Sequence, residues 1–254
     1  MKIGILGCGA MANIIVNNIL SEDLNIDLVW FYDNDIEKAE NLANVGKGIA
    51  VINFEEMIDE VDVVLEAASP RSVEIHALNV LEKGKDIIIM SVGALMDNEL
   101  REKLISAAKE NHARIYAPSG AVVGLDGIKS ISSRNLTETS LITRKPPKSL
   151  GKTSNKEEVL FEGKASEAVK MFPVNVNVAA TISLACKRDI DVKIIVDPKV
   201  ERNIHEIVIK GDFGEFHTKV MNLPCSTNPK TSMLAALSAI NLLKNINTTF
   251  TIGN

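Results

Sequence analysis

The sequence predicts an α/β chain in two parts, a parallel sheet wrapped in helices followed by a mixed α+β domain. Three observations predict it. Short, continuously apolar runs alternate with segments of helical periodicity over residues 1–118, the pattern of a parallel sheet buried on both faces. Beyond Pro118 several strand-like runs follow one another without helices between them, which suits an antiparallel or mixed sheet. A glycine-rich turn separates the first apolar run from the first helical one.

Residues 2–6 read as a buried strand and residues 11–20 carry apolar side chains at helical spacing. DLVWFY at 27–32 is a second strand, and 35–43 a helix with Asp35 at its start. Strands at 62–65 and 86–90 flank a helix at 70–82, where Pro70 takes the first helical position. A helix at 97–111 and a short strand at 114–116 complete the first part. In the second part residues 136–144 alternate like an exposed antiparallel strand, and the polar stretch 145–156, with Pro146, Pro147 and Gly151, reads as a loop. Helices are predicted at 165–172 and 176–186, and strands at 191–196, 203–210 and 215–221. The last segment, 228–244, is an amphipathic helix that Asn228 caps and Pro229 starts. Such a helix can return to the first domain. The expected division is therefore 1–119 with 229–254 as one domain and 120–228 as the other.

Composition narrows the function classes. The 28 basic residues are outweighed by 33 acidic ones and form no basic run, which argues against a nucleic-acid partner. No apolar run is long enough to span a bilayer, so no membrane partner is expected. The first eleven residues read as a buried strand and turn rather than a signal peptide. The 3 cysteines, Cys8, Cys186 and Cys225, are dispersed and make no CxxC pair. Neither a zinc site nor a disulfide framework is implied, and a reducing cytoplasm fits. The 4 histidines are scattered too, so no catalytic metal is expected.

The turn is Gly7-Cys8-Gly9-Ala10-Met11-Ala12, a GxGxxA. The first glycine permits the tight turn, the second lets a pyrophosphate approach the backbone, and a small residue at Ala12 lets helix and strand pack closely. Ala10 and Met11 stand at the start of the helix, whose free N–H groups and dipole attract phosphate. Alone this motif is weak, but it lies between a strand and a helix. Asp33 ends the second strand, where a carboxylate bonds the adenosine ribose. These features describe a Rossmann dinucleotide-binding domain. Asp33 favours NAD over NADP because a carboxylate repels a 2′-phosphate, while Asn34 and Lys38 leave some accommodation for NADP.

Ligands of such sheets bind at the carboxyl ends of the strands. Small-residue loops follow three of them: Glu66-Ala67-Ala68-Ser69-Pro70, Ser91-Val92-Gly93-Ala94 and Pro118-Ser119-Gly120-Ala121. Ala68, Ser69, Gly93 and Ala121 are accordingly candidate cofactor contacts. Each loop alone is ordinary turn chemistry; three at corresponding strand ends suit a cofactor lying over the sheet edge.

Together GCGAMA, EAASP, SVGAL, PSGAVVGLDGI, KPP, FPVNVNVAAT, DP…RNIHEI and NPKTSMLAALSAI resemble the L-aspartate dehydrogenase family, in the family's order from residue 4 to about 240. The resemblance implies a Rossmann domain and an α+β domain that holds the substrate and forms a homodimer. It implies oxidation of the dicarboxylic amino acid L-aspartate with NAD or NADP, through iminoaspartate, to oxaloacetate and ammonia, with a link to NAD biosynthesis. The family's catalytic histidine falls on His205, and its cofactor-contacting alanine and asparagine on Ala121 and Asn175.

Strand alternation places His205 on one face with Ile207 and Ile209, at the start of its strand and able to look into a cleft. A core histidine bonded to backbone is the plainer reading of the residue alone. Asn175 is equally able to cap the helix that follows it. A dicarboxylate substrate needs cationic partners, and Lys129, Lys187, Arg188 and Arg202 are candidates among which the sequence does not choose. Homoserine dehydrogenase, dihydrodipicolinate reductase and a non-catalytic NAD-binding sensor share the same plan and remain alternatives.

Overall fold

The structure, a computed structural model, describes residues 1–151, 153–172, 176–223, 232–246 and 248–252. The chain divides into two compact units, Met1–Pro118 with Ala239–Asn247, and Ser119–Ser238 with Thr248–Asn254.

In the first unit six strands make one parallel sheet: β1 (Lys2–Leu6), β2 (Asp27–Tyr32), β3 (Ile49–Ala50), β4 (Val63–Glu66), β5 (Asp86–Ile89) and β6 (Ile115–Tyr116). Their spatial order is β3-β2-β1-β4-β5-β6, that of a Rossmann sheet, whose ligand crevice opens where the order reverses, between β1 and β4. The connecting helices are α1 (Ala10–Ser21), α2 (Ile36–Gly46), α3 (Phe54–Asp59), α4 (Pro70–Glu82) and α5 (Asn98–Glu110). Burial explains the continuous apolar strands: Ile3, Ile5, Val64, Leu65, Ile87 and Ile88 are all 0% exposed. Each such side chain contributes roughly 1.5–3 kcal/mol by leaving water. Some of the helix starts follow capping chemistry. Ser69 accepts a hydrogen bond from Ser72 N ahead of α4, and Asp97 one from Leu100 N ahead of α5.

The second unit holds a mixed sheet of β7 (Leu136–Lys145), β8 (Glu158–Lys164), β9 (Asp191–Val196), β10 (Asn203–Gly211) and β11 (Gly214–Asn222), in the order β11-β10-β7-β9-β8. Only β7 and β9 run parallel; the other neighbours are antiparallel. The helices α6 (Leu125–Ser130), α7 (Ala165–Met171) and α8 (Asn177–Cys186) belong here, and α9 (Met233–Asn245) runs across the division of the chain. Asn228 and Pro229, expected to start that last helix, lie outside the described residues. The strand at 136–144 differs from expectation. It is the middle strand rather than an exposed one, it reaches Lys145, and Thr139, Leu141, Thr143 and Lys145 along one face are buried. No described helix is long and apolar enough to cross a membrane.

Candidate active site

At the switch point the glycine turn has the shape its sequence promises. Gly7 has φ +94°, and a Cβ there would lie 2.5 Å from the Cβ of Ala68, so β1 and the loop after β4 touch through the missing side chain. Gly9 has nothing within 4 Å of where its Cβ would be. It is also the N-cap of α1, which no side chain caps. An open cradle before an uncapped helix N-terminus fits a pyrophosphate. Ala10 and Met11 form the first turn of that helix and are half-buried, while Ala12 is fully buried.

Asp33 is half-buried just past β2. Its Oδ2 accepts from Cys8 N at 2.8 Å and its Oδ1 from Asp35 N at 3.0 Å. The carboxylate therefore braces the glycine turn, and its remaining lone pairs suit ribose hydroxyls. The Cys8 thiol is pushed up to about 12, by burial first and then by the charge of Asp33. It stays protonated and unreactive.

The loops at the strand ends are tied together by a residue the sequence reading passed over. Glu66, 0% exposed at the end of β4, accepts on Oε1 from Ala68 N and Ser69 N at 2.9 Å each and from Ser91 Oγ at 2.9 Å. Its Oε2 accepts from Ser91 N at 3.0 Å. Burial pushes the carboxyl upward, and the bonds donated by Ser91, Ala68 and Ser69 oppose that shift. Ala68 is exposed, Ser69 is half-buried, and Gly93 is buried in a 3-10 helix, Val92–Met96.

In the second unit, His205 lies on β10, 3% exposed, facing the same way as Ile207 and Ile209, as alternation predicts. It pairs across the strands with Thr143, and its Nδ1 lies 3.0 Å from Thr143 Oγ1. Burial, and next the positive charge of Lys145, bring the imidazole down to about 3. Lys145 is itself 4% exposed and lowered by burial to about 8. The stretch 145–156 was expected to be a loop apart from the site, but its first residue ends β7 beside the histidine. The four basic residues proposed from sequence, Lys129, Lys187, Arg188 and Arg202, are all exposed. Arg188 Nη1 is spent on Leu136 O at 2.9 Å.

Asn222 is also buried, and its Nδ2 lies 3.4 Å from Ala121 O; Ala121 is 6% exposed. Asn175, the expected cofactor-contacting asparagine, lies outside the described residues. Of the other histidines, His76 packs on Phe54 with ring centroids 4.4 Å apart, and His217 is exposed on β11.

Comparison with known proteins assigns the two halves. Residues 7–118 match the NAD-binding domain of homoserine dehydrogenase, and residues 126–246 the C-terminal domain of aspartate dehydrogenase. An L-aspartate dehydrogenase of Methanothermobacter thermautotrophicus is 54% identical over 253 residues, covering 100% of this chain and 98% of its own. The chain belongs to the L-aspartate dehydrogenase family. A second member, from Methanosarcina barkeri, is 45% identical over 100% of this chain and 99% of its own. The crystal structure of aspartate dehydrogenase from Thermotoga maritima superimposes with a TM-score of 0.80 at 33% identity, over 100% of this chain and 99% of that one. Dihydrodipicolinate reductase from Paenisporosarcina shares only the fold, at 15% identity and a TM-score of 0.57.

Proposed function

We propose that the chain oxidises L-aspartate with NAD, through iminoaspartate, to oxaloacetate and ammonia, and that His205 is the base that brings water to the imine. Membership of the family supports the reaction. The observation that carries the histidine's role is its setting, a buried neutral imidazole held by Thr143 with Lys145 alongside.

The glycine turn and the N-terminus of α1 take the pyrophosphate, and Asp33 takes the adenosine ribose. Ala121 and Asn175 are assigned to the cofactor through the family resemblance. When bound, the nicotinamide supplies the acceptor for the hydride that leaves the substrate Cα. His205 is uncharged at neutral pH, so a ring nitrogen is free to take a proton. In the tautomer that donates Nδ1–H to Thr143 Oγ1, the lone pair is on Nε2. That nitrogen accepts a proton from water as its oxygen adds to the carbon of the protonated imine, returns it to the nitrogen of the adduct, and takes up the proton of the new hydroxyl as the carbonyl forms. Ammonia leaves and oxaloacetate remains. A substrate carboxylate beside the ring raises its proton affinity, because a nearby negative charge favours the imidazolium. Iminoaspartate released before hydrolysis is the form that feeds NAD biosynthesis.

NAD is the preferred cofactor in this reading. Lys38, the nearest candidate for a 2′-phosphate, is already paired with Asp35 at 3.0 Å. The free, buried thiols of Cys8 and Cys186 suit a cytoplasmic setting. The working form is a homodimer made through residues 120–228.

The test is NADH formation from L-aspartate beside L-glutamate, L-alanine and homoserine, in wild type and His205→Asn. Turnover of aspartate is expected, falling by about 10²–10⁴-fold in the variant, the scale of a general base. NAD affinity and melting temperature should hold. Near-normal turnover by folded His205→Asn removes the base assignment, and activity with homoserine alone removes the substrate.

A further inference from the structure

Asn203 is 1% exposed, yet neither its Nδ2 nor its Oδ1 has a hydrogen-bond partner. A buried amide in that state has given up water and received nothing in return. Such a group needs an explanation, and one that fits here is a ligand.

Its position supports that explanation. Asn203 opens β10 two residues before His205, so both face the same way. Across one side it pairs with Asn222, which is buried too. Across the other, the register sets His205 opposite Thr143 and Ile204 opposite Arg144, which brings Lys145 opposite Asn203. An amide, an ammonium and an imidazole therefore occupy adjacent places at one end of one sheet face. A cation out of water acts on a carboxylate far more strongly than one on the surface. This favours Lys145 over the exposed basic residues.

We propose that Asn203 and Lys145 form a carboxylate subsite for the substrate, Asn203 Nδ2 donating to an oxygen of one carboxylate and Lys145 supplying the opposite charge. The proposal rests on the reading that L-aspartate reacts at His205. It adds a binding role for an amide that otherwise only weakens the fold.

The test compares wild type with Asn203→Leu and Asn203→Asp. It measures KM and kcat for L-aspartate, KM for NAD, and thermal melts with and without succinate, a dicarboxylate that cannot react. Asn203→Leu should melt higher than wild type without ligand, because the unpaired amide is gone. Its KM for aspartate should rise about 10–100-fold, the scale of one hydrogen bond to a charged group, with KM for NAD unchanged. Succinate should protect wild type but not the variant. Asn203→Asp keeps the shape and sets a negative charge where the carboxylate lies, so its KM should rise at least as far. It also serves, with folding judged by circular dichroism and a cooperative melt, should the leucine variant not fold. An unchanged aspartate KM in either folded variant overturns the proposal. Failure of wild type to oxidise L-aspartate defeats the functional reading instead, and the loss of succinate protection still reports on the subsite.

Discussion

Single residues in this chain carry more than one duty, and Asp33 is the clearest case. Its carboxylate accepts from Cys8 N and Asp35 N while it stands where the ribose is expected. Asp33→Ala should therefore do two things. It should narrow or reverse the preference for NAD over NADP, and it should loosen the glycine turn so that affinity for both cofactors drops. Titrating the variant with each cofactor checks both; a wild type that strongly prefers NADP, with no change in the variant, would defeat the assignment. The places of the glycine turn, Asp33 and His205 in the fold were legible because each sits in a pattern, a strand–turn–helix or an alternating strand, while the role of His205 was read only from the family resemblance. Lys145 was not, because the prolines after it drew it into a loop. Continuing the alternation of Thr139, Leu141 and Thr143 by one step would have kept it in the strand. Asn203 was hidden differently. An asparagine two places before a histidine carries no pattern, and only its missing partners single it out.

At the scale of elements, Glu66 joins the end of β4 to the loops before α4 and after β5 through four donated hydrogen bonds. Those loops carry Ala68, Ser69 and Gly93, so a single buried carboxylate fixes the loops to which cofactor contacts are assigned. Glu66→Gln turns one acceptor into a donor that faces another donor. A buried unsatisfied group costs about 1–3 kcal/mol, and each kcal/mol moves a chain of this size by about 2–4 °C. A lower melting temperature and a raised KM for NAD are expected together. A variant that matches wild type in both would show that the loops hold their places without it. The long elements were plain from sequence: α4 falls on 70–82 and β2 on 27–32, as their periodicity required. The short ones were not. Ile49–Ala50 is too brief to alternate, and α3 has only 6 residues in spite of its Asn53 cap. β8 is an edge strand with mostly exposed or half-exposed side chains, which leaves little hydrophobic pattern to read.

At the scale of the whole molecule the open question is what the second sheet does with its other face. One face carries Thr143, Lys145, Asn203 and His205. The opposite face, by alternation along the strands, carries Ile142, Val208 and Met221, the last 51% exposed. Ion pairs cross the strands around them, Lys219 with Glu206 at 2.6 Å and Lys210 with Glu138 at 2.9 Å. Surface pairs of this kind add little stability by themselves, but a half-exposed apolar centre bordered by charges has the composition of an interface between subunits. A stable interface buries on the order of 1,600 Å² in total, an area a five-stranded sheet face is large enough to supply. We therefore expect two copies to meet through this face, within residues 120–228, leaving the histidine face to the substrate. Light scattering should give twice the chain mass at micromolar concentration. Val208→Glu should shift it toward monomer, since a second copy would press the same charge against it. Val208 lies in the second unit, so folding of the variant is judged by its circular-dichroism spectrum and a cooperative thermal melt. A monomeric wild type would end the proposal, and a dimer untouched by Val208→Glu would move the interface elsewhere.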